Sequence, residues 1–160
     1  MHKKVQKAID PKGVFLTAEA FRSSSVILGN HGPSYMFPTV ICAAFSLELY
    51  FKCLILIEAG ASKGHDLEEL FSKTTPASQR TIRASYEPYK AKADIMFASV
   101  KGVPVPKTDF DFVLHASAKA FEHFRYAYEG AVEDQEGWMA NGIRECVRER
   151  IMELKPEWAK

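Results

Sequence analysis

The sequence predicts an all-α protein, a bundle of four long antiparallel helices with one or two short ones. Apolar residues recur at helical rather than strand spacing in nearly every periodic segment of the chain. Glycine, proline and asparagine fall between those segments, where helices begin and end. The 160 residues, 47% hydrophobic and 26% charged, have the composition of a soluble globular protein. We therefore expect one domain, with its core at about residues 17–154.

The first half of the chain contains three predicted helices. The first covers Thr17–Leu28, with Thr17 as its N-cap. The second is long and apolar, running from near Ser34 to Ala59 and stopping at Gly60. A short helix then covers residues 66–72, where an acidic first turn suits the helix dipole.

The second half contains three further predicted helices. A threonine–proline pair begins a long helix at residues 75–100, which Pro88 is expected to kink or split in two. The proline-containing segment 102–106 is extended and cannot be helical. A fourth long helix follows at residues 109–129, and a final one at residues 138–154. We therefore expect an all-α bundle of four long helices plus shorter ones.

Charge and cysteine usage limit the classes of function. The net charge of +1 gives no global sign of a nucleic-acid binder, so any such role must come from a local patch. No secretory signal is visible, and the three cysteines lack CxxC spacing, which predicts reduced thiols in a cytoplasmic protein. The apolar run Val40–Ile57 carries Glu48 and Lys52 near its middle, so we predict a buried bundle helix and no membrane partner.

One acid and one base stand alone in the apolar second helix. Glu48 and Lys52 are four residues apart, so they share a helix face and can pair. One interpretation is an ordinary ion pair on the single solvent-facing stripe of that helix. The other is a polar centre in a bundle cleft or a dimer groove.

A second polar group lies in the predicted fourth long helix. Arg125 shares a face with Glu129 at i, i+4 spacing, Glu122 lies three residues before it, and Tyr126 lies beside it. A solvated ion network would explain the arginine and its carboxylates. A phosphate or base anchor with a neighbouring tyrosine for stacking would explain them too.

The sequence predicts neither a metal site nor a cofactor. His65 precedes the short helix, and His123 is the histidine nearest to Arg125; none of the five histidines forms a metal-ligand pair at conventional spacing. There is no glycine-rich phosphate loop and no obvious nucleophile with an adjacent base. Basic residues between positions 80 and 107, interleaved with Tyr86 and Tyr89, are either an RNA-facing strip or a solvated helix face.

Three segments together resemble the HEPN superfamily, the higher-eukaryotic and prokaryotic nucleotide-binding domains. Ser46–Lys52 resembles the family's second helix with its acid and base, and Gly64–Leu70 contains the frequent His-Asp-Leu start of a short helix. Phe124–Glu129 resembles part of a late helix. The motifs are short, and their order and spacing over residues 17–154 make the match specific.

The resemblance implies a helical bundle, usually a homodimer, with a polar groove that binds or cleaves RNA. Many members are metal-independent ribonucleases of toxin–antitoxin and other defence systems, whereas others bind nucleotides, RNA or a partner protein. The cleaving members carry an arginine followed four to six residues later by a histidine. If Arg125 is that arginine, the histidine should fall near residues 130–132, which are Gly, Ala and Val.

Three functional hypotheses follow from these residues. The first is binding of RNA or a nucleotide through Glu48, Lys52, Arg125, Tyr126 and Glu129, without the usual cleavage. The second is a divergent metal-independent endoribonuclease in which His123 or His65 replaces the missing histidine. The third is a protein-interaction module with a partner protein as its ligand.

Overall fold

The computed structural model describes residues 9–61, 63–100, 102, 105–118 and 140–159. These ranges contain α-helices, two short 3₁₀ turns and no strand, which confirms the predicted all-α class. The six α-helices of the described ranges are α1 (Pro11–Gly29), α2 (Met36–Ala59), α3 (Leu67–Ser72), α4 (Pro76–Ala98), α5 (Phe110–Ser117) and α6 (Asn141–Leu154). The 3₁₀ turns are Pro33–Tyr35 and Pro156–Ala159.

The first helix begins six residues earlier than predicted. Asp10 is its N-cap and accepts hydrogen bonds from the backbone N–H groups of Lys12 at 3.0 Å and Gly13 at 3.1 Å. Pro11 occupies the first helical position, where its fixed φ favours the helix and its missing N–H costs nothing. Thr17, the predicted cap, lies inside the helix and donates to the carbonyl of Gly13. The prediction was wrong because it passed over the aspartate–proline start signal.

The other helix boundaries in the first hundred residues are close to the predicted ones. α2 ends before Gly60, whose φ of 77° is the left-handed conformation expected after a helix. Asp66 caps α3, and Thr75 caps α4 with its hydroxyl accepting from the Ser78 N–H. Pro88 lies within α4, which continues through it to Ala98 as one helix.

The second half of the chain is described in part. α5 begins at Phe110, one residue after the predicted start of the fourth long helix. The predicted continuation of this helix over residues 119–129 lies outside the described residues, as does the start of the last predicted helix at Trp138. α6 ends at Leu154, as predicted.

The helix α2 is the centre of the bundle. It forms a hairpin with α1, and both α3 and α6 pack against it, while α6 also packs against α4. α6 turns a buried stripe toward these partners, with apolar side chains four residues apart at Ile143, Val147 and Ile151. The fully buried apolar residues of α2 are Ala43, Ala44, Leu47, Tyr50, Phe51, Cys53, Leu54 and Ile55.

α2 and the turn before it also pass a membrane-span test by length and composition alone. The segment Pro33–Ala59 is the one helix in the described ranges that does so, and 61% of its most apolar 18-residue window is buried inside the protein. A central bundle helix passes the same test, because it too is apolar on most of its surface.

Candidate functional site

The connection between α2 and α3 brings a histidine back over α2. Gly60 ends α2 in the left-handed conformation, and Gly64, with φ 101°, turns the chain again. Residues other than glycine rarely adopt such φ angles, so the two glycines determine the path of this loop. Asp66 then fixes the start of α3 by accepting from the backbone N–H groups of Glu68 and Glu69. His65 lies between the second glycine and this cap.

A buried carboxylate is at the centre of the site. The side chain of Glu48 is 1% exposed, and its Oε1 accepts hydrogen bonds from Lys52 Nζ at 2.7 Å and from His65 Nδ1 at 2.9 Å. The predicted pair of Glu48 and Lys52 is therefore formed. The carboxylate does not lie on a solvent-facing stripe of α2, because it is enclosed by the bundle.

The two partners of this carboxylate connect it to the surface. Lys52 is 21% exposed and His65 is 63% exposed at the side chain. Because both nitrogens contact the same oxygen, Lys52 Nζ and His65 Nδ1 are separated by no more than the two contacts of 2.7 and 2.9 Å end to end, or 5.6 Å. A cation and an imidazole thus lie side by side at the surface above one buried carboxylate.

The contact with Glu48 also fixes the tautomer of His65. An ionised carboxylate can only accept hydrogen bonds, so the hydrogen lies on Nδ1 of the histidine. In the neutral ring Nε2 is then the nitrogen with a free lone pair. The imidazole is held by one nitrogen and has the other available for proton transfer or for a hydrogen bond to a ligand.

The second oxygen of Glu48 lacks a hydrogen-bond partner among the described residues. Oε2 is buried, and a buried carboxylate oxygen without a donor costs free energy. The site therefore has unused capacity to accept a hydrogen bond, next to an ion pair that is already formed.

The remaining predicted site residues belong to a segment that begins beside this cluster. Arg125, Tyr126, Glu129 and His123 lie outside the described residues. The last residue described before them is Ala118, whose carbonyl accepts a hydrogen bond of 3.1 Å from the backbone N–H of Leu67, two residues after His65. Ala118 therefore lies beside the start of α3.

Two residues of the basic strip that the sequence suggested on α4, Arg83 and Tyr86, are engaged in contacts within the protein. Arg83 donates to both carboxylate oxygens of Asp111, at 2.9 and 2.6 Å, and its guanidinium lies over the rings of Phe71 and Phe110. This contact lowers the pKa of Asp111, first through the hydrogen bond from Arg83. Tyr86 is buried and donates to the carbonyl of Thr108. Neither Arg83 nor Tyr86 is thus available to stack on a base.

Sequence reasoning missed a second polar network, which joins α1, α2 and α6. The carboxylate of Glu19 accepts hydrogen bonds from the Tyr50 hydroxyl and from Arg148 Nε and Nη2, the latter two at 2.7 and 3.2 Å. One turn further along α1, Arg22 pairs with Glu145 at 2.8 Å. Charges three residues apart on both α1 and α6 were the available signal, but nothing in the sequence aligned the two helices.

The described residues hold no cluster of three or more histidine, cysteine, aspartate or glutamate side chains that could bind a metal ion. His115 also contacts a carboxylate, with its Nδ1 at 2.9 Å from Glu68 Oε2, but that glutamate is 45% exposed.

No family model, curated protein or solved structure matches the chain.

Proposed function

We propose that the chain is a HEPN-like protein that binds RNA or a nucleotide in a polar groove containing Glu48, Lys52 and Arg125. The observation that carries the proposal is the buried carboxylate of Glu48, which is linked to the surface by Lys52 and His65. The proposal also rests on the resemblance of the three sequence segments.

A buried ion pair is weak support for stability and better support for a site. Desolvation of the two charges offsets most of their attraction, so an apolar pair would serve a bundle core as well. Glu48 accepts hydrogen bonds from Lys52 and His65, and its second oxygen can accept from a ligand or from a further residue of the groove.

The position of Ala118 supports a place for Arg125 in the same groove. Arg125 is seven positions after Ala118, and a chain of that length spans at most about 25 Å when extended and about 10 Å as a helix. In this proposal the guanidinium binds a phosphate, Tyr126 stacks on a base, and Glu129 orients the arginine.

Binding without the usual cleavage is the version that the sequence favours. The residues at positions 130–132 are Gly, Ala and Val, and none of them can transfer a proton. Arg125 could still supply charge to a phosphate, but the family's proton-transfer partner is missing. The proposal includes a role in a toxin–antitoxin or other defence system and a cytoplasmic location.

A homodimer is part of the proposal. Large apolar side chains are exposed where α1 ends and α2 begins, a surface that a second copy could cover: Val26, Ile27, Tyr35, Met36 and Phe37. Residues 23–47 contain His31 but no Asp, Glu, Lys or Arg, so two copies could meet at this end with little repulsion between charges. Light scattering after size exclusion would give twice the mass of the chain, and the mass of one chain would count against the dimer.

The test is the binding of a labelled mixed-sequence RNA in chelator at several salt concentrations. Arg125→Ala should weaken binding by about 1.5–3 kcal/mol, the contribution of a hydrogen bond to a charged group. Affinity should fall as salt rises, because bound phosphates release counterions.

The matched control is Arg80→Ala, which removes an exposed arginine of α4. It should leave the affinity within about twofold of wild type, because Arg80 is not part of the proposed groove, and a larger loss would assign RNA contacts to the basic strip of α4. Unchanged binding in folded Arg125→Ala protein would remove Arg125 from the site. If no RNA binds, the same assay with mononucleotides decides between a nucleotide ligand and a partner protein.

A further inference from the structure

We infer that the end of α4 and the loop after it bind the surface of a phospholipid membrane that contains anionic lipids, through exposed aliphatic side chains flanked by lysines. This surface, which we call the α4 tip, consists of Ile95, Met96, Val100 and Val105. The inference adds a second partner to the proposed function and does not depend on it. It departs from the expectation of no membrane partner, which considered only the apolar run of α2.

The four side chains of the α4 tip are largely exposed. Ile95 is 72% exposed, Met96 56%, Val100 48% and Val105 59%. Gly102 turns the chain between the two valines with a φ of 81°, and a Cβ at this position would meet no atom within 4 Å. The α4 tip therefore exposes aliphatic side chains of both a helix and a loop at one end of α4.

The α4 tip lies beyond the part of α4 that packs on α6. A Cβ at Gly142, the second residue of α6, would lie 2.9 Å from Tyr89 Cβ, so the described start of α6 is level with Tyr89. From there α4 continues for nine residues to Ala98, which is about 13 Å of helix. The segment after the tip is joined to α4 again, because Tyr86 donates a hydrogen bond to the carbonyl of Thr108.

The segment that contains the α4 tip is basic. Residues 90–107 contain four lysines and one acid, and therefore carry a charge of +3 in a chain whose net charge is +1. The acid is Asp94, which Lys90 neutralises through a contact of 2.8 Å. Lys92 is exposed, and it shares a face of α4 with the two tip residues that follow three and four positions later.

The acids that border this segment, Glu87 and Asp109, lie away from the tip. Glu87 is eight residues before Ile95, which is about 12 Å along the helix. Asp109 directly precedes α5, four residues after Val105, and the exposed Lys107 lies between them. The charges nearest to the exposed aliphatic side chains that are not already neutralised are therefore those of lysines.

Aliphatic side chains beside lysines fit an anionic lipid surface better than the other partners. RNA would attract the lysines, but isoleucine, methionine and valine offer no ring on which a base can stack. A second copy of the chain would bring two basic segments together, which is unfavourable. At a lipid surface, apolar side chains enter the boundary of the acyl chains while lysines stay at the phosphates.

The experiment measures co-sedimentation of the full chain with vesicles of phosphatidylcholine, either alone or in a two-to-one mixture with phosphatidylserine. The variants are Met96→Ser, the double variant Ile95→Ser with Met96→Ser, and Lys92→Gln. The matched control is Leu16→Ser, because Leu16 on α1 is 54% exposed, close to the 56% of Met96. Circular dichroism and thermal melting report folding, and RNA binding is measured on the same samples.

We expect the wild type to bind the anionic vesicles at least about tenfold more tightly than the neutral ones, because each lysine near an anionic surface contributes roughly fivefold. Met96→Ser should lower the partition constant about threefold and the double variant at least about tenfold, since less aliphatic area enters the lipid. Lys92→Gln should lower it about fivefold on anionic vesicles. Leu16→Ser should bind vesicles like wild type, and the double variant should keep the wild-type affinity for RNA.

Equal binding of the wild type and the double variant to anionic vesicles would overturn the inference. So would equal binding of the wild type to neutral and anionic vesicles. If the chain binds no vesicles, the inference fails, and light scattering assigns the surface. A lower mass of the double variant would then give the α4 tip to a second copy of the chain, and an unchanged mass would leave it to a partner protein. The proposed function is judged separately, by the RNA binding of Arg125→Ala.

Discussion

The ammonium group of Lys52 lies 2.7 Å from Oε1 of Glu48, one turn away on α2, and the lysine is the more exposed member of the pair. Glu48 is enclosed by the bundle, so its charge has little access to water. The pair should therefore respond differently to loss of one partner and to replacement of both.

Loss of the lysine alone should destabilise the protein. Lys52→Ala leaves a buried carboxylate without its cation, and we expect the free energy of unfolding to fall by about 3 kcal/mol. Urea denaturation at pH 7 measures it. The control is Lys73→Ala, whose contacts with Glu69 at 3.8 Å and with the carbonyl of Lys63 at 3.0 Å are exposed and should together contribute less than about 1 kcal/mol. Equal effects of the two variants would contradict the buried pair.

Replacement of both partners should separate stability from function. In the double variant Glu48→Met with Lys52→Met, the desolvation of two charges is removed, so stability should lie within about 1 kcal/mol of wild type or above it. RNA binding should be weakened, because the polar centre of the proposed site is gone. A double variant that is stable and binds RNA like wild type would show that the pair has no part in binding.

The start of α1 gives a direct test of the corrected helix boundary. Asp10→Ala removes the side chain that accepts from the N–H groups of Lys12 and Gly13, and should cost about 1 kcal/mol. Thr17→Ala, at the cap that the sequence suggested, should change the free energy of unfolding by less than about 0.5 kcal/mol, since alanine is the better helix former. Urea denaturation of both variants is sufficient, and a larger cost at Thr17 would restore the shorter helix.

Local signals in the sequence predicted the fold class and several boundaries. Gly60 after a long apolar run, Asp66 before an acidic turn and Thr75 before a proline each specify a helix end within one or two residues. The missed start at Asp10 was a signal of the same kind. Local chemistry therefore contained almost all the information on where the helices of the first hundred residues begin and end.

The sequence predicted one of the two contacts of the candidate site. Glu48 and Lys52 pair because residues four apart on a helix must be neighbours. The contact of His65 with Glu48 crosses 17 residues and depends on the path of a loop with two left-handed glycines. That path is a result of packing, and it cannot be predicted from the spacing of residues in the sequence. Glu19 and Arg148 are 129 residues apart in the sequence, so no local pattern could predict their contact.

The packing of α6 on α4 gives a steric prediction. A Cβ at Gly142 would lie 2.9 Å from Tyr89 Cβ and 3.0 Å from Tyr86 Cε2, closer than such atoms can approach. Gly142→Ala should therefore cost about 1–3 kcal/mol through displacement of the helices. Gly29→Ala is the control, because its Cβ would meet only Thr39 Cγ2 at an ordinary 3.5 Å. Thermal melting of the pair should show a loss for Gly142→Ala and none for Gly29→Ala.

The network between α1 and α6 gives a prediction on pH. Burial raises the pKa of Glu19, but hydrogen bonds from Arg148 and Tyr50 outweigh it and leave the pKa below its ordinary 4.5. A carboxylate whose pKa is lowered by folding stabilises the folded state above that ordinary value, and the stabilisation is lost as the pH falls through the folded pKa. Wild type should thus be more stable than Glu19→Gln at pH 7, by a margin that narrows below about pH 4.5.

The measurement is the free energy of unfolding in urea for wild type and Glu19→Gln, at intervals from pH 7 to pH 3. Only the difference between the two proteins is interpreted, because many other carboxylates titrate over the same range. Glu87→Gln, at an exposed position of α4, is the control and should differ from wild type by less than about 0.5 kcal/mol throughout. A margin for Glu19→Gln that stays constant down to pH 3 would mean that Arg148 and Tyr50 do not hold the ionised form of Glu19.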